Sequence, residues 1–341
     1  MTTIVNGTTG VTFSDGSVQN TAAIGFRNRI INGNMMIDQR NAGAAFTLAS
    51  GTNSYGSCDR WASIASAASW TLQQVATGNY DFPYAIRIKR TAAATASTCY
   101  IGQVIETINC QDLAGQPATL SFYVTAGANY SGGTFTVEIW TGTGTNQGWT
   151  SLGAGTWTGQ TQASANTPVP TTTRTKYSYT ATLGSTVAEV AVRFTYAATG
   201  TAGANDYVDV TGVQLEKATT ASSFDFRSFP QELALCQRYY EKTYDQSVVP
   251  GTANDKGAFF TVRIDSIGGG GTAYKVTKRA TPTVTFYSPT TGTSGQARNY
   301  TTSADTAASA QSIGDAGFYV LAGSATNGAG LGVQWTAAAE L

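Results

Sequence analysis

Apolar and polar residues alternate along much of this chain over stretches of five to ten positions. Leu120, Phe122 and Val124 fall on one side of Thr119–Thr125, and Phe135, Val137 and Ile139 on one side of Thr134–Trp140. Ile86 and Ile88 alternate with Arg87 and Lys89. A period of two predicts half-buried strands. Tyr100–Ile108, Lys176–Thr182, Ala188–Tyr196 and Asp206–Glu216 read the same way. In the last of these the apolar phase slips at Gly212, from Val208 and Val210 to Val213 and Leu215, which predicts a β-bulge. At least seven such strands separated by turns predict a β-sandwich over residues 27–228. An Asn32-Gly33 turn stands near its start.

Residues 229–245 change period. Pro230 suits a first helical turn, Glu232 favours the positive end of the dipole, and Leu233, Cys236 and Tyr240 share one face with Tyr239 beside them. This is the one helix the pattern predicts, a linker between two β regions. Its face fits either core packing or a seam with sister chains; its place between two β domains favours a seam or hinge. Residues 246–341 hold further strands at Phe259–Ile264, Ala273–Thr277, Thr283–Tyr287, Gly317–Leu321 and Gly332–Ala337, a second, smaller sandwich, with Gly268–Gly271 as a flexible tip. Residues 1–26 carry one hairpin's worth of signal: Val11 and Phe13, an Asp15-Gly16 turn, then Val18. So few large apolar residues cannot close a core, so this segment must lean on another chain or on the next domain.

Composition narrows the chemistry. The 341 residues include 20 Lys+Arg, 20 Asp+Glu and no His, with 55 threonines and 38 glycines. Without histidine, Ser-His-Asp and Cys-His catalysis and His-ligated metals are excluded. Zero net charge argues against a phosphate-backbone binder, so no nucleic-acid partner is expected. No apolar run is long enough to span a membrane, so no insertion is expected. The N-terminus shows no basic region followed by an apolar stretch, so a cytosolic site of synthesis and folding is expected. Cys58, Cys99, Cys110 and Cys236 form no Cys-x-x-Cys pair and read as buried thiols, a Cys99–Cys110 bridge being sterically open but not required.

Two site readings follow from the residues. Glu106, Glu138, Asp206, Asp209 and Glu216 could supply a carboxylate pair for sugar hydrolysis, but most lie in strands at outward positions, so the expectation is no enzyme. The Gly- and Thr-rich stretch from Tyr130 to Thr175 mixes aromatic and amide groups: Tyr130, Trp140, Trp149 and Trp157 with Asn146, Gln147, Gln160 and Gln162. Rings and amides suit a sugar's C–H face and hydroxyls. Tyr130, Trp149, Trp157, Asn146 and Gln147 are the candidate glycan-binding set, with packing of the tryptophans onto the sandwich or a neighbouring chain as the competing reading.

Several segments carry resemblances. Phe13-x-Asp15-Gly16-Ser17-x-Gln19-x-Thr21-Ala22 resembles an element near the ends of bacteriophage tail-fibre and other appendage proteins. Asn32-Gly33-x-Met35-x-Ile37-x-Gln39-Arg40 followed by Asp59-Arg60-Trp61 resembles the opening of a β-sandwich domain of phage virion proteins. There the charges of Arg40, Asp59 and Arg60 are expected to pair with one another or with backbone. Residues 103–216, closing in Val210-Thr-Gly-Val213-Gln-Leu-Glu216, resemble the galactose-binding-like jelly-roll carbohydrate-binding modules. Phe224-x-x-Arg227-Ser228 through Cys236-Gln-Arg-Tyr239-Tyr240 resembles a segment that follows this sandwich in phage tail and virion proteins.

These resemblances imply an all-β virion structural protein. It would be a homotrimeric tail fibre or receptor-binding protein, fixed to another virion protein by its N-terminus and touching a host-surface glycan without catalysis. Attachment and trimerisation would fall to Val11, Phe13, Asp15, Gly16, Val18, Leu233, Cys236 and Tyr240, and a structural Ca²⁺ to Asp206 or Asp209. A head fibre or capsid-decorating protein is the alternative, and a polysaccharide-degrading enzyme the second; the location in every reading is the virion, assembled in the host cytoplasm.

Overall fold

A computed structural model describes residues 26–263, 270–322 and 325–341, together with the backbone of three short strands before them. Those are β1 (Ile4–Asn6), β2 (Gly10–Thr12) and β3 (Val18–Gln19), paired antiparallel as a three-stranded sheet. Val11 and Val18 lie in these strands, their side chains outside the described set; Phe13, Asp15 and Gly16 lie outside the described residues altogether.

The first sandwich is built from two antiparallel sheets. Its strands are β4 (Phe46–Thr47), β5 (Ala62–Ala65), β6 (Trp70–Ala76), β7 (Tyr84–Arg90), β8 (Ser97–Ile105), β9 (Pro117–Ala126), β10 (Thr134–Gly142), β11 (Thr161–Asn166), β12 (Thr175–Thr182), β13 (Glu189–Ala198) and β14 (Tyr207–Lys217). One sheet has the order β11-β10-β13-β8-β5 and the other β12-β9-β14-β7-β6-β4. Successive strands β8, β9 and β10, then β12, β13 and β14, cross from sheet to sheet, as in a jelly roll. The inward positions of the alternation meet in one core that includes Phe122, Val124, Phe135, Val137, Phe194 and Val210. The expected bulge is present: β14 shifts register against β9 between Thr211 and Gln214, and Gly212 has φ +59°. A Cβ there would stand 2.8 Å from the Tyr123 ring.

The opening segment is tied by its turn. Gly33 passes so close to β14 that a Cβ would lie 2.1 Å from the Val213 carbonyl oxygen, and Val213 N–H donates to the Gly33 carbonyl at 2.8 Å. The Asn32 carboxamide donates to the carbonyls of Ile37 and Asp59, and the Trp61 indole donates to the Asn32 carbonyl.

Two helices are present among the described residues, α1 (Trp149–Gly153) and α2 (Phe229–Gln237). Pro230 stands in the first turn of α2 as the sequence suggests, and a Ser228–Gln231 capping box closes its start. It ends earlier than expected: Tyr240 belongs to strand β15 (Tyr240–Lys242), not to the helix face with Leu233 and Cys236. Hydrogen bonding to the second sheet outcompetes continuation of the helix. Cys236 and Tyr240 are buried within this one chain and Leu233 is partly so, which corrects the expectation of a free three-fold seam on these residues.

The second unit adds β16 (Phe259–Val262), β17 (Gly271–Ala273), β18 (Thr283–Tyr287), β19 (Gln296–Asn299), β20 (Ala304–Gln311), β21 (Gly317–Ala322) and β22 (Gly330–Ala338). Strand β22 is its axis: β15 and β18 pair with its C-terminal half, and β16 and β19 with its N-terminal half. Tyr274, Phe286, Phe318, Val333 and Trp335 fill the core beneath. Lys278 is buried there against Glu241 at 2.6 Å.

The two units are joined by Ala339–Leu341. Glu340 accepts from Arg40 at 2.8 Å and from Arg60, while Arg279 donates to the carbonyls of Ala339 and Glu340. The Arg40 guanidinium lies 3.7 Å from the Tyr240 ring and that of Arg60 3.5 Å from the Tyr239 ring. Arg40 and Arg60 therefore pair across the units instead of only within the opening segment. Asp59 does stay local: it accepts from the Gln39 backbone N–H at 2.9 Å and from the Gln39 carboxamide, which also donates to the Tyr240 carbonyl.

Candidate functional site

The inward residues of β10 and β13 leave Glu138, Trp140, Arg193 and Thr195 on the outer face of the five-stranded sheet, next to Tyr100 of β8 and Gln162 of β11. Arg193 crosses between the two rings, its guanidinium carbon 4.7 Å from Trp140 and 5.3 Å from Tyr100. It donates to Glu138 through Nε at 2.5 Å and Nη2 at 2.9 Å. Gln162 and Thr195 also donate to the same carboxylate. With four donors aimed at it, Glu138 has its acceptor positions filled. The charge of Arg193 is cancelled in place. What remains is a neutral, partly exposed surface of one phenol, one indole, a guanidinium edge and an amide. Such a surface can stack on C–H groups and exchange hydrogen bonds with hydroxyls.

The other half of this face is covered. Trp149 and Trp157, 2% and 4% exposed, pack with Val104, Ala191, Tyr239 and Leu341. Gly102 makes this possible, since a Cβ there would stand 2.4 Å from the Trp149 ring. Trp157 donates from its indole to the Gly148 carbonyl at 3.0 Å. The expectation that these two indoles offer open faces is therefore corrected: the loop between β10 and β11 folds back and lays them on the sheet. The amides beside them hold that loop. Asn146 exchanges two hydrogen bonds with Thr107, and Gln147 donates from its backbone to Glu189 and accepts from Thr158 N–H at 2.7 Å. Tyr130 lies elsewhere, packed 5.0 Å from the Tyr196 ring, and burial pushes its phenol up to about 12.

The proposed calcium ligands are engaged by arginines. Asp206 is fully buried, accepts from Arg90 Nε at 2.7 Å, from Ser131 N–H at 2.9 Å and from the Tyr196 hydroxyl. Burial pushes its carboxyl up, but these donors outweigh it and hold it below the ordinary value. Asp209 is held by Arg87 through two bonds of 2.8 Å. The two carboxylates do not converge on one ion, and no cluster of three metal-ligating side chains occurs among the described residues. Glu106 is likewise paired with Arg238, and Glu216 accepts from Ser222 and Gln214. All four cysteines are free and buried, with no Cys99–Cys110 bridge. None of the helices among the described residues is long and apolar enough to cross a membrane.

Sequence reasoning placed Trp140 and Gln162 in the aromatic-and-amide stretch but did not put them in the candidate set, and it missed Tyr100 and Arg193. The signal was present: with Phe135, Val137 and Ile139 inward, Trp140 must face out, and Arg193 is the one charge inside the apolar strand Val190–Tyr196.

No family model and no curated protein matches this sequence. Solved structures give partial likenesses. The enzymatically active domain of tailspike protein 4 of bacteriophage CBA120 is 10% identical with a TM-score of 0.32, over 56% of this chain and 21% of that one. The match thus spans about a fifth of that domain's length. A CBM4 module is 17% identical with a TM-score of 0.31, over 55% of this chain and 98% of the module. The CBM22-1 xylan-binding domain from Paenibacillus barcinonensis Xyn10C is 11% identical with a TM-score of 0.31, over 53% of this chain and 99% of that domain.

Proposed function

We propose that this chain is a non-catalytic glycan-binding subunit of a phage appendage, a homotrimeric fibre anchored to another virion protein through its N-terminal region. The observation that carries the glycan reading is the partly exposed half of the five-stranded sheet, where Tyr100 and Trp140 flank an internally neutralised Arg193. A charge-cancelled aromatic surface suits uncharged pyranoses, whose binding rests on stacking and hydroxyl exchange. The absence of catalysis is supported by the state of the carboxylates: Glu106, Glu138, Asp206 and Asp209 are each held by an arginine. The virion and trimer assignments rest on the resemblances of the opening and Phe224–Tyr240 segments. Weak sites repeated in three copies would reach useful avidity.

The test is affinity electrophoresis of the full chain through gels holding neutral polysaccharides. Trp140→Ala and Tyr100→Ala are expected to reduce retardation at least tenfold in protein that circular dichroism shows to be folded, with a lowered Tm because both rings also pack on the Trp149 cluster. Retardation equal to that of the parent protein for both variants would remove this face from the binding site.

A further inference from the structure

The second unit carries an aromatic surface that the first face does not account for. On three adjacent strands, Phe260 of β16 pairs with Gly332 of β22, which pairs with Arg298 of β19. One step along, Val262 pairs with Gly330, and Tyr300 N–H donates to the Gly330 carbonyl at 2.8 Å. Cross-strand partners share a face, so these six residues form two rows with a bare glycine strand in the middle. Phe260 is 57% exposed, Val262 51% and Tyr300 44%. The two rings lean toward each other over Gly332, centroids 5.8 Å apart, and a Cβ on Gly332 would stand 2.8 Å from Tyr300 and 3.1 Å from Phe260. At the edge, Arg298 faces Asp305 at 3.5 Å, so its charge too is compensated.

The geometry points to a second carbohydrate-stacking site at Phe260 and Tyr300, taking the C–H face of a neutral pyranose, with the Tyr300 hydroxyl and the Arg298–Asp305 pair meeting its hydroxyls. Two facts favour a sugar over a protein partner. Three half-exposed side chains offer roughly 300 Å² of apolar surface, taking each ring as half covered, whereas a stable protein interface takes about 800 Å² per partner. Arg298 also shares the cross-strand row of Phe260 through Gly332, so a polar side chain stands beside the stacking face. The site is independent of Tyr100 and Trp140 and stands or falls without them.

The experiment uses the full chain and a panel of neutral gluco-, galacto-, manno- and xylo-oligosaccharides, read by saturation-transfer NMR and by sedimentation. In a Trp140→Ala background, the remaining saccharide signal is expected to fall at least tenfold on Phe260→Ala plus Tyr300→Ala and to persist with Phe260→Trp, which keeps a flat face. Melting curves should be unchanged, because the rings are half in solvent. The proposal is overturned if the double substitution leaves the signal intact, if Phe260→Trp loses it as Phe260→Ala does, if no saccharide in the panel binds, or if the double substitution changes the sedimenting species and not the saccharide signal. Loss of all binding by Trp140→Ala alone would also overturn it while leaving the first face standing.

Discussion

Arg40 and Glu340 stand 300 positions apart in sequence and meet at 2.8 Å between the two β units. Arg60 reaches the same carboxylate, and each guanidinium lies on a tyrosine of the Tyr239-Tyr240 pair. Both arginines were conspicuous in a charge-poor stretch; their partner was not, because it lies at the far end of the chain.

Glu340→Gln is expected to destabilise the protein by about 3–5 kcal/mol, since it leaves the buried Arg60 and the partly buried Arg40 without their shared counter-charge. Urea unfolding should then resolve two transitions, the second unit melting first. A single transition at the parent midpoint would show that this contact does not couple the units.

Trp149→Ala is expected to cost about 3–5 kcal/mol, the range for emptying a buried aromatic site, and to leave saccharide binding intact wherever the protein remains folded. Gly102→Ala should cost about 1–3 kcal/mol by overpacking the same spot. Differential scanning calorimetry checks both. A Trp149→Ala protein of parental Tm that has lost its sugar would restore the reading of this indole as a ligand contact.

Asp59 introduces a pH dependence of defined sign. Burial is the main cause that pushes its carboxyl up to about 7, against the opposing pull of Arg40 and of the Gln39 donors. Because the folded value is raised, the folded chain holds a proton that the unfolded chain releases above about pH 4. Stability from this group is therefore present in acid and is lost as pH rises toward 7, by up to about 4 kcal/mol. Lys242 nearby, lowered to about 8 chiefly by burial, keeps its charge over that window. Asp59→Asn should flatten the stability profile between pH 4 and 7, measured by urea titration at several pH values; an unchanged slope would dismiss Asp59 as its source.

Arg90 and Asp206 are both fully buried. Arg90→Leu should cost about 3–5 kcal/mol, as a buried carboxylate loses its partner. Because Arg90 occupies the place a cation would take, a chelator is expected to leave the Tm of the parent protein unchanged. A fall in Tm on chelation, reversed by Ca²⁺ and abolished by Asp206→Asn, would reinstate the ion.

Much of the fold was legible where local physics decides it. Alternation located β7 to β10 and β12 to β14 of the first sandwich, and the phase slip at Gly212 marked the bulge that β14 shows. Strands β4, β5, β6 and β19 escaped, as did β11 and β20; the last two read TQASAN and ADTAASAQ. They hold no large apolar residue, and become strands because a neighbouring strand presents hydrogen-bonding groups to them. The same external pairing ended α2 at Gln237 and drew Tyr240 into β15.

By itself the sequence determined an all-β chain and the start of one linker helix, because a two-residue period and a proline in a first helical turn act within a few positions. Only the tertiary structure decided which aromatic groups meet solvent. Trp149 is covered because Gly102 makes room beneath it and Leu341 closes over it, while Tyr100 and Trp140 lie at the border of that cover. Exposure depends on surfaces contributed by remote parts of the chain, and no local pattern encodes it.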